Sequence, residues 1–154
     1  MAITKSELDF VCLPFSKLNG DYLYRLLQLR SEVFVVEQTC IYQDLDGKDT
    51  HPDALHLLVF KKSSLLAYAR MLPSGLSYAT PSIGRIVVSP LARGINMGRL
   101  VIKEAIVKTQ QTWPNEKITI GAQAHLINLY TEFGFECISK EYLEDGIPHI
   151  DMQL

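Results

Sequence analysis

The 154-residue chain carries 15 Lys and Arg against 17 Asp and Glu, a formal charge of −2, with 47% hydrophobic and 21% charged residues. That length suits one domain around one sizeable core, so residues 1–154 are expected to form a single domain. The near-neutral balance excludes the strong positive field of a general nucleic-acid binder, and no apolar run approaches the roughly 20 residues that span a bilayer.

In chain order, residues 8–13 (LDFVCL) predict a first strand. Asn19-Gly20-Asp21 supplies a turn and a helix N-cap. Leu23, Leu26, Leu27, Leu29, Val33, Phe34 and Val36 then recur mostly three or four apart, which predicts an amphipathic helix over 21–37. Residues 43–53 (QDLDGKDTHPD) are polar and turn-rich and read as a loop. Residues 54–61 and 65–72 predict two strands of a hairpin turning at Lys62-Ser63-Ser64. Residues 82–89 predict the next strand, 98–110 a helix ended by Trp113-Pro114-Asn115, and 117–122 a strand. A short helix over 124–132 stops near Gly134, and 135–139 and 147–153 are the last strands. Strands and helices in this order give a mixed sheet with helices packed on it.

The junction GRIVVSPLARGINMGR, residues 84–99, carries the most chemical information. A strand that enters a helix through a glycine-containing turn aims unpaired backbone N–H groups at one spot, and the helix dipole favours an anion there. Gly94 and Gly98 allow close approach or unusual φ. Asn96 is the non-glycine residue that best tolerates positive φ, and Arg93 and Arg99 add charge. The pattern reads as a phosphate or pyrophosphate cradle or, equally, as a tight strand-to-helix turn with arginines on it. It is not a P-loop, because Gly98-Arg99-Leu100 replaces Gly-Lys-Ser/Thr, and it lacks the three spaced glycines of the dinucleotide fingerprint.

Arg93-Gly94-Ile95-Asn96-Met97-Gly98 resembles the Arg/Gln-x-x-Gly-x-Gly/Ala signature of the GNAT N-acetyltransferases, with Asn96 where glycine is usual. Ile86-Val87-Val88 is similar to the family strand that pairs with the pantetheine arm. Leu129-Tyr130-Thr131-Glu132-Phe133-Gly134-Phe135 resembles the family's Leu-Tyr-x-x-x-Gly-Phe segment, and Gln123 falls near a frequent family asparagine. LYRLLQLRSEVFVVEQTCIYQDLDGKD, GAQAHL and YLEDGIPHIDM are similar to the ElaA subgroup. The resemblance spans about residues 20–153. It implies an α/β (α+β) GNAT fold, a mixed and mostly antiparallel sheet of six or seven strands flanked by about four helices. It implies acetyl-CoA as co-substrate, held by residues 86–88 and 93–99 with Gln123, and an N-acetyltransferase acting on a primary amine. The acceptor would be a small-molecule amine or a protein amine, attacked directly in a ternary complex. The alternative is an acyl-CoA sensor of the same fold without transfer activity.

The resemblance implies that Tyr130 is the acid. A phenol titrates near a thiol and can share its proton with a leaving sulfur. For the base, Glu37, Asp44, Asp46, His56 and His149 are candidates, with Glu37 at the end of the first helix, and a water-relayed path is the other route. The acidic stretch Glu37, Asp44, Asp46, Asp49, Asp53 would attract a cationic amine or simply form a solvated loop. Histidines 51, 56, 125 and 149 lack metal-ligand spacing, so no metal is expected. Cys12, Cys40 and Cys137 are scattered and odd in number, which fits neither a disulfide framework nor a zinc site, and none is placed as a nucleophile. Free thiols and acidic residues in MAITKSELDF lead to an expected cytoplasmic location. No nucleic-acid or membrane partner is expected, and an exposed last strand would permit a homodimer.

Overall fold

The computed structural model describes residues 3–154. Its strands are β1 (Asp9–Pro14), β2 (Leu55–Lys61), β3 (Ser64–Leu72), β4 (Ser82–Val88), β5 (Thr119–Gln123), β6 (Glu136–Cys137), β7 (Tyr142–Glu144) and β8 (Ile147–Gln153), and its α-helices are α1 (Gly20–Arg30), α2 (Met97–Thr112) and α3 (Ile127–Thr131). They form one eight-stranded sheet in the order β1-β2-β3-β4-β5-β8-β6, with β7 also paired to β8. All pairings are antiparallel except β4 with β5.

The central strands are apolar on both faces because both faces are covered. Leu57, Val59, Ala67, Ala69, Met71 and Ile83 share one core cluster with Val101, Ile102 and Ala105 of α2, Tyr130 of α3 and Phe135 just after it. Leu58, Phe60, Tyr68 and Val87 point to the other side and pack on Leu26, Leu29, Val33 and Phe34. Asn19 caps α1 by accepting a hydrogen bond from Tyr22 N at 2.7 Å.

Three features depart from the sequence expectations. The first helix does reach residue 37, but Ser31–Glu37 winds as a π-helix, with Cys40 N donating to Val35 O and Gln38 N to Val33 O. An eighth strand, β7, turns into β8 through Asp145 and Gly146, both at positive φ, the geometry of a tight two-residue hairpin. β8 is therefore interior, bonded to β5 on one side and to β6 and β7 on the other, and offers no free edge for a partner subunit. No helix among the described residues is long and apolar enough to cross a membrane.

Two details of β4 position the site. Its parallel pairing with β5 is confined to Ser82 opposite Thr119, after which the strands diverge. On its other side, the register against β3 slips between Tyr68 and Arg70, so that Arg85 and Ile86 oppose Ala69 alone. Arg85 takes φ 51° in this bulge. The bulge turns the strand, and the gap it faces is open.

Candidate active site

A cleft of about 710 Å³ occupies the gap between β4 and β5. Gly84, Arg85 and Ile86 line one wall, Ile120, Gly121 and Gln123 the other, and Leu126 and Tyr130 close one end. Beyond Ser82 the β5-facing backbone of β4 has no strand partner, so its N–H and C=O groups face the cleft.

Tyr130 projects from α3 into the cleft lining. Its ring meets Phe135 edge-on at 6.0 Å between centroids, and the residue is 7% exposed. Burial pushes the phenol up to about 12, so it enters any neutral-pH reaction with its proton in place.

The loop between β4 and α2 follows Val88. Gly94 and Asn96 both take positive φ, 81° and 61°. Asn96 thus supplies the conformation that a glycine would otherwise give, and its side chain makes no cap bond. From Arg93 to Arg99 no backbone N–H donates a hydrogen bond of ordinary geometry within the described residues, and the first that does is Leu100, to Asn96 O at 3.1 Å. A Cβ on Gly98 would meet nothing closer than Val88 Cγ2 at 3.9 Å, so no protein atom crowds that position. Unpaired amides at a sixteen-residue helix N-terminus beside open space are suited to an anion. Residues 93–99 do not line the cleft itself. They stand past the end of its β4 wall.

The side chains of this loop differ in their access. Met97 is buried, 1% exposed, and packs in the core, so only its backbone is available to a ligand. Val87 is likewise a core side chain on the α1 face. Ile95 packs partly against the core. Arg99 makes a bidentate surface pair with Glu132 at 2.9 Å. Arg93 lies 2.8 Å from Glu37, both about half exposed. Glu37 is consequently an ion-pair partner of the loop and lies outside the cleft lining, which argues against the expectation that it takes the substrate's proton.

Within the acidic stretch, Asp44, Asp46 and Asp49 are not free to recruit a cation. Arg30, fully buried, donates to Asp44 Oδ2 at 3.0 Å and Asp49 Oδ1 at 2.7 Å. Arg70 grips Asp46 twice at 2.8 Å and Asp49 at 3.0 Å. Arg85 sits 2.8 Å from Asp44 through Nε, close but without the alignment of a hydrogen bond. Burial opposes the charge of Asp46 and Asp49, but the arginine hydrogen bonds and charges outweigh it and hold both below the usual carboxylate range. His56 is also consumed internally. Its Nε2 donates to Asp49 O at 2.9 Å and its Nδ1 accepts from Tyr68 Oη at 2.7 Å. Burial, the main influence, keeps the ring neutral. Asp44, Asp46, Asp49 and His56 therefore form an internal network behind the cleft, of which Asp46 reaches the lining.

The structure adds residues that sequence reasoning did not single out. Tyr78, from the loop before β4, and Tyr142, from β7, donate to the same Asp151 Oδ1 at 3.0 and 2.5 Å, and all three line the cleft with His149 and Glu144. Burial, then Asp151, raises Tyr78 to about 12 and raises Tyr142 as well.

Residues 25–154 match the family model described as the acetyltransferase (GNAT) domain. The chain belongs to the GNAT acetyltransferase family. Protein ElaA of Escherichia coli strain K12 is 46% identical over 145 residues, 94% of this chain and 95% of ElaA. The crystal structure of Escherichia coli ElaA superposes with a TM-score of 0.89 at 43% identity, covering 95% of this chain and 98% of that one. A Pseudomonas aeruginosa protein described as an acyl-CoA N-acyltransferase superposes with a TM-score of 0.90 at 42% identity, with the same coverage. As a GNAT domain the molecule has the sheet and helix order that its sequence implies, with one more strand than expected.

Proposed function

We propose that this GNAT protein transfers an acetyl group from acetyl-CoA to a primary amine by direct attack within a ternary complex. The observation that carries the reading is the array of unpartnered amides from Arg93 to Arg99, set at the end of a strand whose cleft-facing edge is also unpaired. The amides and Arg93 hold the pyrophosphate, the β4 edge from Ile86 to Val88 holds the pantetheine arm, and Gln123 borders the far wall. Acetyl-CoA supplies the activated thioester. N–H groups at the β4 bulge are suited to stabilise the oxyanion that develops when the amine adds. Tyr130, protonated and reachable from the cleft, gives its proton to the leaving sulfur. Cys40 lies outside the roll of reacting groups, its thiol donating to Asp145 O at 3.6 Å.

Calorimetric titration with acetyl-CoA, with dephospho-CoA and ATP as controls, tests the cradle. Selective saturable binding is expected, and no binding would overturn the reading. Tyr130→Phe tests the acid: kcat is expected to fall about 100-fold or more with acetyl-CoA affinity unchanged. Unaltered turnover in the variant would remove Tyr130 from the mechanism.

A further inference from the structure

An acceptor amine reaches the enzyme as an ammonium and must lose a proton before it can attack. With Glu37, His56 and the loop aspartates engaged elsewhere, the cleft itself must be searched for the group that takes it. His149 stands on β8 opposite Gln123 of β5. It is 8% exposed, lines the cleft, and stacks on Tyr142 with ring centroids 6.0 Å apart and planes 24° from parallel.

Its two nitrogens are not equivalent. Nδ1 lies 2.7 Å from Ile147 O. A carbonyl only accepts, so Nδ1 carries a hydrogen in either charge state. In the neutral ring Nε2 is then the bare nitrogen, and its neighbour is Glu144 Oε2 at 3.5 Å. Two acceptors face each other across a space that lacks one proton. The Glu144 carboxylate has no other ion pair or hydrogen bond among the described residues.

Resting on the acetyltransferase reading, we propose that His149 is the proton acceptor for the substrate ammonium, with Glu144 as the counter-charge. The ammonium N–H bond breaks and its electron pair stays on nitrogen for attack on the thioester. A new Nε2–H bond forms, and the imidazolium is held between Ile147 O and the Glu144 carboxylate. The groups that line the cleft with the ring support this polarity: Tyr142 stacked on it offers a phenol, Gln123 opposite it an amide, and Asp145 and Asp151 carboxyl groups. The cations of the cleft are committed elsewhere, Arg70 and Arg85 to aspartates and Lys48 to Ser77 at 2.8 Å.

The test uses two probe amines with acetyl-CoA: n-butylamine, which is an ammonium at neutral pH, and methoxyamine, which is already neutral. His149→Gln is expected to lower kcat for butylamine about 100-fold, with recovery as pH rises, and to change methoxyamine turnover less than about threefold. Equal losses for both probes would mean that His149 only shapes the cleft, and would overturn the proposal. A second arm needs no acceptor: nitrogen NMR of the imidazole in the wild-type protein is expected to show the Nδ1–H tautomer, and Glu144→Gln, whose amide can donate to the bare nitrogen, to move the Nε2 resonance. An Nε2–H tautomer, or an Nε2 resonance indifferent to Glu144→Gln, would overturn the proposal even if neither amine is acetylated. Absent acetylation by wild-type protein that passes the NMR arm would instead count against the acetyltransferase reading.

Discussion

Asn96 separates the structural from the binding role of the β4–α2 loop. It holds φ 61° with no side-chain bond to the helix it precedes. The left-handed region costs an L-residue about 1–2 kcal/mol, and asparagine escapes part of that. Asn96→Ala keeps a Cβ and loses the tolerance, so it should cost about 1 kcal/mol. Asn96→Gly removes the strain but adds about 0.5–1 kcal/mol of chain entropy, leaving stability nearly unchanged. At about 2–4 °C per kcal/mol for a chain of this size, the alanine variant should melt about 2–4 °C lower and the glycine variant within about 2 °C of wild type. Whatever part of that strain the free alanine loop sheds, by relaxing away from the geometry that gathers its amides, returns as a cost on binding, so the losses of stability and of affinity together come to about 1 kcal/mol. A loop that relaxes completely would show the whole of it as about a fivefold weaker Kd for acetyl-CoA, whereas the glycine variant should bind at least as well as wild type. Scanning calorimetry and titration calorimetry on the three proteins read both effects. An alanine variant with wild-type melting and wild-type affinity would show that neither the fold nor the ligand needs the positive φ, and the cradle would be lost as an explanation.

Arg30→Met would leave Asp49 with Arg70 alone and Asp44 with Arg85 alone, and urea unfolding should show a loss of about 3 kcal/mol. Stability should also fall in acid: His56 is held neutral in the fold, so the unfolded chain begins to gain a proton below about pH 6.5, and the depressed Asp46 and Asp49 add a steeper loss below about pH 4. Thermal scans from pH 8 to pH 3 check this, and equal melting at pH 8 and pH 5 would contradict the His56 part. Glu37→Gln should leave kcat within about twofold in the butylamine assay, since the pair it forms with Arg93 is half exposed and such pairs contribute about 1 kcal/mol at most. Gly121→Ala should displace the Tyr78 hydroxyl, which lies 2.8 Å from where the new Cβ would sit, and lower turnover at unchanged acetyl-CoA affinity.

The elements legible in the sequence were those whose signal is local. The apolar doublets of β2 and β3, the three-to-four spacing of α1 and α2, and the glycine-bearing loop all predicted their structures to within a few residues. Asn96 was readable for the same reason, because αL tolerance belongs to the residue type. The Asp145-Gly146 hairpin was also written in the chain as a two-residue turn signal, yet β7 is only three residues long and its apolar content is thin. The π segment has no composition of its own: Ser31–Glu37 keeps a helical pattern and only its hydrogen bonds shift by one residue. The aspartates of 43–53 could not be told from a solvated loop because their partners, Arg30, Arg70 and Arg85, come from three different elements. Tyr78 and Asp151 are 73 residues apart and meet only through the sheet.

Both walls of the cleft keep it from closing into a continuous sheet. On β4, the extra residue at Arg85–Ile86 breaks the register that further parallel pairing with β5 would require, and Arg85 is anchored away from β5 by Asp44 and Asp46. On β5, the ladder to β8 runs the full strand from Thr119 to Gln123, so the strand follows β8 as the sheet twists. Above it Tyr78 and Tyr142 converge on Asp151 over Gly121, the one residue of β5 whose missing side chain leaves them room. The buried arginine–aspartate network and the two-tyrosine cluster are costly for a fold that needs only a core. Both make sense as supports for an unpaired strand edge, where a ligand supplies the hydrogen bonds that a neighbouring strand would otherwise make.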